Sequence, residues 1–343
     1  MAPGVRLSGL TKRFGELEAV AEVSLDISEG AVFGLLGPDG AGKSTLIRML
    51  ATVLLPDAGD AEVFGLSVTR AADSLAPRIG YMSQRFSMYP DLSVTENLEF
   101  FARIRGVAKP RRRERAAELL ESMGLAPFAG RQARLLSGGM KQKLMLASTL
   151  MHDPDLLLLD EPTTGVDPVS RREFWRILAG IHATGRTVLV ATPYMDEAER
   201  CSHVGFLDAG RITHTGTLQE LKDAVPGTLL EVVAPDPRAA LAVLREQPGV
   251  SQAHLLGDTV RVLTHLPPGP PGTVPDAPGT VPGGPGTVPG GPVLAEASRL
   301  DPPGRPQPSI VSSLLATSGI DAEVREIPMD MESVFAYFAE AAA

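Results

Sequence analysis

Cysteine is almost missing from this 343-residue chain: Cys201 stands alone. One thiol cannot form an internal disulfide, and the composition fits a reducing compartment. There is no surplus of positive charge. The 32 basic residues are outnumbered by 41 acidic ones, for a net charge of −9, which argues against a protein that coats nucleic acid through a basic face. No apolar run approaches the roughly 18 residues that a membrane-spanning helix needs. The first residues, Met-Ala-Pro-Gly-Val-Arg-Leu, lack the apolar core of a secretion signal. The six histidines have no zinc-like spacing. The expectation is a soluble intracellular protein with a sizeable core, since 43% of its residues are hydrophobic.

Proline is abundant and unevenly placed. Fourteen of the 30 prolines fall within 267–308, where Pro-Gly-Thr-Val-Pro recurs at 271–275, 278–282 and 285–289. Proline removes backbone donors and restricts φ, so this stretch is expected to be an extended, mobile insertion without a packed core. Before it, residues 1–225 alternate strand and helix patterns, as an α/β layered domain does. Around it, strand and helix patterns at 229–233, 237–246, 253–256, 260–264, 310–317 and 323–327 follow the order βαββαβ. That order predicts a small ferredoxin-like α+β domain over 226–343, split by the insertion. A last helix, 331–338, carries Val334, Phe335 and Phe338 at packing spacing.

The chemistry starts at the apolar strand 31–36. It runs into Gly37-Pro38-Asp39-Gly40-Ala41-Gly42-Lys43-Ser44-Thr45 and then a helix pattern. Glycines there let backbone N–H groups converge on phosphate oxygens, and the helix N-terminus favours the same anion. In such a phosphate-binding loop Lys43 reaches the β- and γ-phosphates of ATP, and Ser44 ligates Mg²⁺. A second apolar strand, 155–160, ends in two carboxylates, Asp160 and Glu161. Asp160 is placed to touch the magnesium shell, and Glu161 to polarise a water.

Between them, Leu136-Ser137-Gly138-Gly139-Met140 opens another helix. Here the chain resembles the ATP-binding subunits of ABC transporters, whose signature is Leu-Ser-Gly-Gly-Gln; Met140 departs from it. The resemblance covers 1–225. Its style, seen in Thr-Lys-Arg-Phe14-Gly, Asp-Glu-Pro-Thr-Thr-Gly-Val-Asp167-Pro and Tyr-Met-Asp-Glu-Ala-Glu-Arg-Cys201, looks most like bacterial multidrug or antibiotic-resistance exporters. It implies an α/β P-loop NTPase core with a helical subdomain over about 86–150. Phe14 matches the aromatic that stacks on adenine. Gln84 matches the glutamine that contacts magnesium or water and senses the membrane partner. Phe86, Met88, Tyr89 and Pro90 form an apolar cluster suited to a coupling helix of that partner. Asp167 matches the loop aspartate that crosses between paired subunits. Leu136, Ser137, Gly138 and Gly139 would complete the site of the opposite subunit, so two nucleotides are sandwiched in a homodimer or a heterodimer.

What the resemblance implies is an ATPase, peripheral on the cytoplasmic face of the membrane, that drives efflux through a separate permease. One position departs from the pattern. Thr192-Pro193-Tyr194 follows the strand at 188–191, where the family places histidine; proline offers neither a side-chain donor nor an N–H. Asp39 replaces the usual asparagine. A hydrolysis-impaired half of an asymmetric pair is therefore an alternative. A soluble ABC ATPase acting on ribosomes or DNA is another, although one cassette and a short interval between phosphate loop and signature do not suit it. Cys201 has no evident base beside it and reads as packing, on a helical run. Deleting 267–308 and bridging the gap with a short Gly-Ser linker is expected to leave nucleotide affinity unchanged, as measured by calorimetric titration.

Overall fold

The computed structural model describes residues 3–265 and 308–341. The proline-rich stretch therefore lies outside the described residues, apart from Pro308 at the start of a helix. Two compact units divide the chain: Met1–Ala224 with Val334–Ala343, and Val225–Ser333.

In the first unit a six-stranded sheet runs in the order Arg211–Thr217, His203–Asp208, Val32–Leu36, Thr187–Thr192, Leu156–Asp160, Ile79–Met82. Only Arg211–Thr217 is antiparallel to its neighbour; every other pairing is parallel. Parallel strands are covered on both faces and so read as continuous apolar runs, and Leu156 to Leu159 are all 0% exposed. The parallel register brings Leu36 beside Thr192, and Ala191 beside Asp160. The segments leaving these strands thus emerge side by side at one edge, where open α/β sheets bind ligands.

A four-stranded antiparallel sheet, ordered Leu17–Ser28, Pro3–Phe14, Ala58–Val63, Leu66–Ser67, belongs to the same unit. Its Val5, Leu7 and Val23 share a core with Phe33, Leu35 and Leu158 of the larger sheet, and with Leu46 and Leu50 of the helix Lys43–Leu50. Three further helices, Val94–Ile104, Lys109–Ser122 and Gly138–Thr149, pack on one another within 86–150. The first begins with a capping box. The Ser93 hydroxyl accepts from the Glu96 N–H at 3.2 Å, and the Glu96 carboxylate accepts from the Ser93 N–H at 2.8 Å.

The last helix, Met331–Ala341, differs from the sequence reading in its grouping: from Val334 on it belongs with the first unit rather than with the small domain. Phe335 and Phe338 pack on Phe206, with ring centroids 5.4 and 5.9 Å away, and His214 stacks on Phe338 at 3.7 Å. The second unit holds an antiparallel sheet ordered Val250–Leu256, Thr259–Thr264, Thr228–Val233, Glu323–Glu326. Helices Pro237–Arg245 and Pro308–Thr317 lie in its two crossovers. Leu230, Val232, Leu244, Val262 and Leu315 fill its core. Among the described residues no helix is long and apolar enough to cross a membrane.

Cys201 is not on a helix. The helix Met195–Ala198 is a single turn, and Cys201 lies in the bend after it. It is a packing residue: burial, aided by the Glu197 carboxylate, pushes its thiol up to about 12, far from the range of a reactive thiolate. It packs against Gly34 at the centre of the parallel sheet. A Cβ on Gly34 would lie 2.9 Å from Cys201 Sγ and 3.1 Å from Val204 Cγ1. Gly34→Ala is therefore expected to destabilise the first unit by about 1–3 kcal/mol, the usual cost of overpacking, read as a lower urea midpoint.

Candidate functional site

The loop between Val32–Leu36 and Lys43–Leu50 folds back closely on its surroundings. Gly37 and Gly42 have φ of 157° and 105°, and a Cβ on either would lie 2.1 Å from a carbonyl oxygen, that of Leu207 or Ala19. Only glycine fits at either place. The Ala41 carbonyl accepts from the Gly210 N–H at 3.0 Å, which ties the loop to the turn beyond His203–Asp208. Pro38, Asp39 and Gly40 are exposed, Gly42, Ser44 and Thr45 are half-buried, and Ala41 and Lys43 are buried.

Lys43 is the buried cation of the site, 4% exposed. Its ammonium donates to the carbonyls of Gly37 and Pro38 at 2.8 and 2.9 Å and lies 4.0 Å from Glu161 Oε1. Burial lowers its pKa, and Glu161, Asp39 and Asp160 oppose that shift in this order. Ser44, next along the helix, donates to Asp160 Oδ1 at 2.8 Å. The other oxygen of this fully buried carboxylate has no hydrogen-bond partner. Burial raises the Asp160 pKa, and the Ser44 hydroxyl works against it.

Glu161 is the first residue after Asp160 and 7% exposed. Its Oε2 accepts from Gln84 Nε2 at 2.7 Å and from the Thr164 hydroxyl at 3.1 Å. Its backbone is left-handed, with φ of 48°. The sequence-predicted Lys43, Ser44, Gln84, Asp160 and Glu161 are therefore brought together. Thr164 is an added partner, visible beforehand only as the second threonine of Asp-Glu-Pro-Thr-Thr.

Phe14 ends the strand Pro3–Phe14, 51% exposed, with Lys12 Nζ 5.7 Å from its ring centroid. The signature residues stand apart from the phosphate loop. Ser137 caps Gly138–Thr149 by accepting from the Met140 N–H at 3.3 Å, and Leu136 is buried. The near neighbours of Gly138 and Gly139 are Gly165 and Ser170, in the segment around Asp167. Asp167 caps the helix Pro168–His182, accepting from the N–H groups of Ser170 and Val169 at 2.9 and 3.1 Å. Those bonds hold its carboxyl below the ordinary aspartate range, the Ser170 bond foremost.

Pro193 follows Thr187–Thr192 at the same sheet edge. The Thr192 hydroxyl accepts from the Tyr194 N–H at 3.1 Å. The expected apolar cluster at 86–90 is broken up. Met88 is buried, while the Tyr89 ring, 48% exposed, rests edge-on against Phe100 at 4.6 Å. Buried Asn97 fixes the Tyr89 backbone through bonds of 2.8 and 3.0 Å. Phe86 lies under Lys141, 5.5 Å from its ammonium.

Residues 20–164 match the family described as ABC transporter. Over 208 residues, 60% of this chain, the sequence is 49% identical to the probable multidrug ABC transporter ATP-binding protein YbhF of Escherichia coli K12, covering 36% of that protein. It is 45% identical to the daunorubicin/doxorubicin resistance ATP-binding protein DrrA of Streptomyces peucetius, covering 63%. The aligned part thus spans about a third of the first relative and under two thirds of the second. Identity is 40% to the Nod factor export ATP-binding protein I of Cupriavidus metallidurans, 69% of which is covered. Among solved structures, the dimeric post-hydrolysis state of the ATP-binding cassette MJ0796 with ADP and Pi superposes with a TM-score of 0.58 at 27% identity. It covers 62% of this chain and 98% of that one. With a buried lysine beside two strand-end carboxylates, these likenesses place the chain in the ABC transporter ATP-binding family.

Proposed function

We propose that this chain is the ATP-binding subunit of an exporter, which binds and hydrolyses Mg-ATP and passes the resulting movement to a separate membrane permease. One observation carries the reading: a buried ammonium, Lys43, at the mouth of a glycine-built loop, 4.0 Å from a carboxylate that is itself held by Gln84. Phosphate oxygens would replace the Gly37 and Pro38 carbonyls as acceptors for Lys43. The segment 37–45 would cradle the phosphates, and Phe14, exposed at the end of its strand, offers a ring to the adenine.

The donor set fits magnesium. Asp160 presents a buried, unpartnered oxygen beside the Ser44 hydroxyl, and Mg²⁺ is held by one or two protein oxygens, water and substrate phosphate. When bound, the metal neutralises charge on the phosphates. Ser44, Asp160 and Gln84 would hold it, and Glu161 would orient and deprotonate the attacking water.

Ser137, Gly138 and Gly139 point to a composite site completed by a second subunit, with Asp167 crossing between the two. The dimeric cassette of known structure supports that arrangement. The names of the relatives support export: multidrug, daunorubicin/doxorubicin and Nod factor. The exposed Tyr89 edge, with Phe100 beside it, offers the permease a contact at the Gln84 end of the site. The subunit would then sit on the cytoplasmic face of the membrane.

Lys43→Ala is expected to weaken Mg-ATP binding at least tenfold with the fold intact, whereas Glu161→Gln keeps binding and slows turnover by about 10²–10³. Unchanged affinity and turnover in both variants would contradict the assignment. Pro193 removes a donor at the sheet edge, and one preorganised donor is commonly worth about 10²–10³ in rate. Slow basal turnover that rises in Pro193→His is the expected steady-state result; fast turnover insensitive to the change would show that the position is not limiting.

A further inference from the structure

Behind the candidate site lies a buried acid that has no part in the chemistry proposed above. Glu197 is 0% exposed, on the one-turn helix after the Pro193 turn. It accepts from the hydroxyl of Thr163, itself 0% exposed, and Thr163 is two residues beyond Glu161. The other Glu197 oxygen has no partner. Arg171 Nε lies 3.8 Å from Glu197 Oε1, and its guanidinium also sits 3.6 Å from Asp196 and 4.0 Å from the centroid of the Tyr194 ring. One guanidinium is thus held by three residues of the segment 194–197. Arg171 is on Pro168–His182, and its N–H donates to the carbonyl of Asp167, the cap of that helix, at 2.9 Å.

This network has a physical task. Glu161 has φ of 48°, a region that is strained for a side chain such as glutamate and persists only when its surroundings impose it. Its N–H is fixed to the Ala191 carbonyl at 2.9 Å, so one side of the strained residue is anchored to the sheet. On its other side the Thr164 N–H donates to the Glu161 carbonyl at 3.3 Å, and the buried Thr163–Glu197 bond is placed to fix the loop that carries Thr164. A buried carboxylate with an unmet oxygen is costly, so packing alone does not account for a glutamate here.

We propose that Glu197, acting through the Thr163 hydroxyl and the Arg171 guanidinium, is a positioning residue: it holds Glu161 in its left-handed conformation and ties it to the Pro193 turn and the Asp167 cap. The kinetic consequence rests on the reading of Glu161 as the carboxylate that activates water; the structural consequence does not.

The test is Thr163→Val, close in shape but without the hydroxyl, beside Thr163→Ser, which keeps it. A crystal structure of Thr163→Val is expected to show Glu161 leaving positive φ and its bond to Gln84 lengthening past 3.5 Å. In steady-state kinetics kcat should fall about tenfold to a hundredfold, the scale of a small misplacement. KM for Mg-ATP should stay within twofold, and Thr163→Ser should restore kcat. If Thr163→Val does not fold, Arg171→Gln, on a partly exposed side chain, is expected to give the same split between kcat and KM. Glu161 unmoved in the crystal overturns the proposal, whether or not the wild-type protein hydrolyses ATP. So does a fall in nucleotide affinity parallel to kcat, which marks a merely structural role. Absence of turnover in the wild-type protein, with Glu161 released in the variant, would sink the ATPase reading and leave the positioning role standing.

Discussion

An ammonium group buried to 4% exposure needs acceptors, and the arrangement of this unit is dominated by supplying them to Lys43. Two come from its own loop, the carbonyls of Gly37 and Pro38. The compensating charge comes from Glu161, a residue far along the chain that follows a strand separated from the loop's own by a single intervening strand. Desolvation lowers the Lys43 pKa and raises that of Asp160, so both charges are destabilised by the same dryness. A polyanion and a divalent cation arriving together would relieve both. On the proposed reading, the site without ligand is a set of mutually compensating charges, which nucleotide and metal take over.

The order of strands makes this possible. Val32–Leu36 and Leu156–Asp160 flank Thr187–Thr192, so the cradle, the carboxylates and the Pro193 turn share one edge. Each is fixed to a buried strand, and the flexible part of each is short. The signature lies elsewhere, on a helix cap near Gly165 and Ser170, next to the segment that carries Asp167. On the proposed reading the chain presents half of a site at each of two places, which suits it to pairing, and the packing of Gly139 against Ser170 links the signature to the loop from Glu161 to Asp167.

Much of this is legible in the sequence, for identifiable reasons. Asp160 and Glu161 end and follow a short apolar run, the mark that a buried parallel strand leaves on sequence, and Lys43 and Ser44 close a glycine-rich loop after another such run. The strands and helices of the second unit are likewise written in alternating apolar residues, and its sheet is ordered Val250–Leu256, Thr259–Thr264, Thr228–Val233, Glu323–Glu326. What escaped notice depends on pairing across distance. Nothing in the spacing tells that Glu197 is buried against Thr163, because both look like ordinary polar residues of turns. Phe335 and Phe338 carry a packing pattern that does not name Phe206 as their partner. Met88 and Tyr89 are neighbours with similar hydrophobicity but opposite fates, decided by Asn97, which holds the backbone so that one side chain enters the core and the other leaves it. Cys201 fell outside its expected helix because the turn beginning at Pro193 leaves room for only one helical turn before the chain re-enters the sheet.

The central claim is that the protein acceptors of Lys43 stand where phosphate oxygens bind. A crystal structure of the protein with magnesium and a non-hydrolysable ATP analogue tests it most directly. The account predicts that Lys43 Nζ leaves the Gly37 and Pro38 carbonyls for the β- and γ-phosphates, with the metal against Ser44 and the free oxygen of Asp160. Nucleotide bound elsewhere, with the Lys43 contacts at 2.8 and 2.9 Å unchanged, would contradict it.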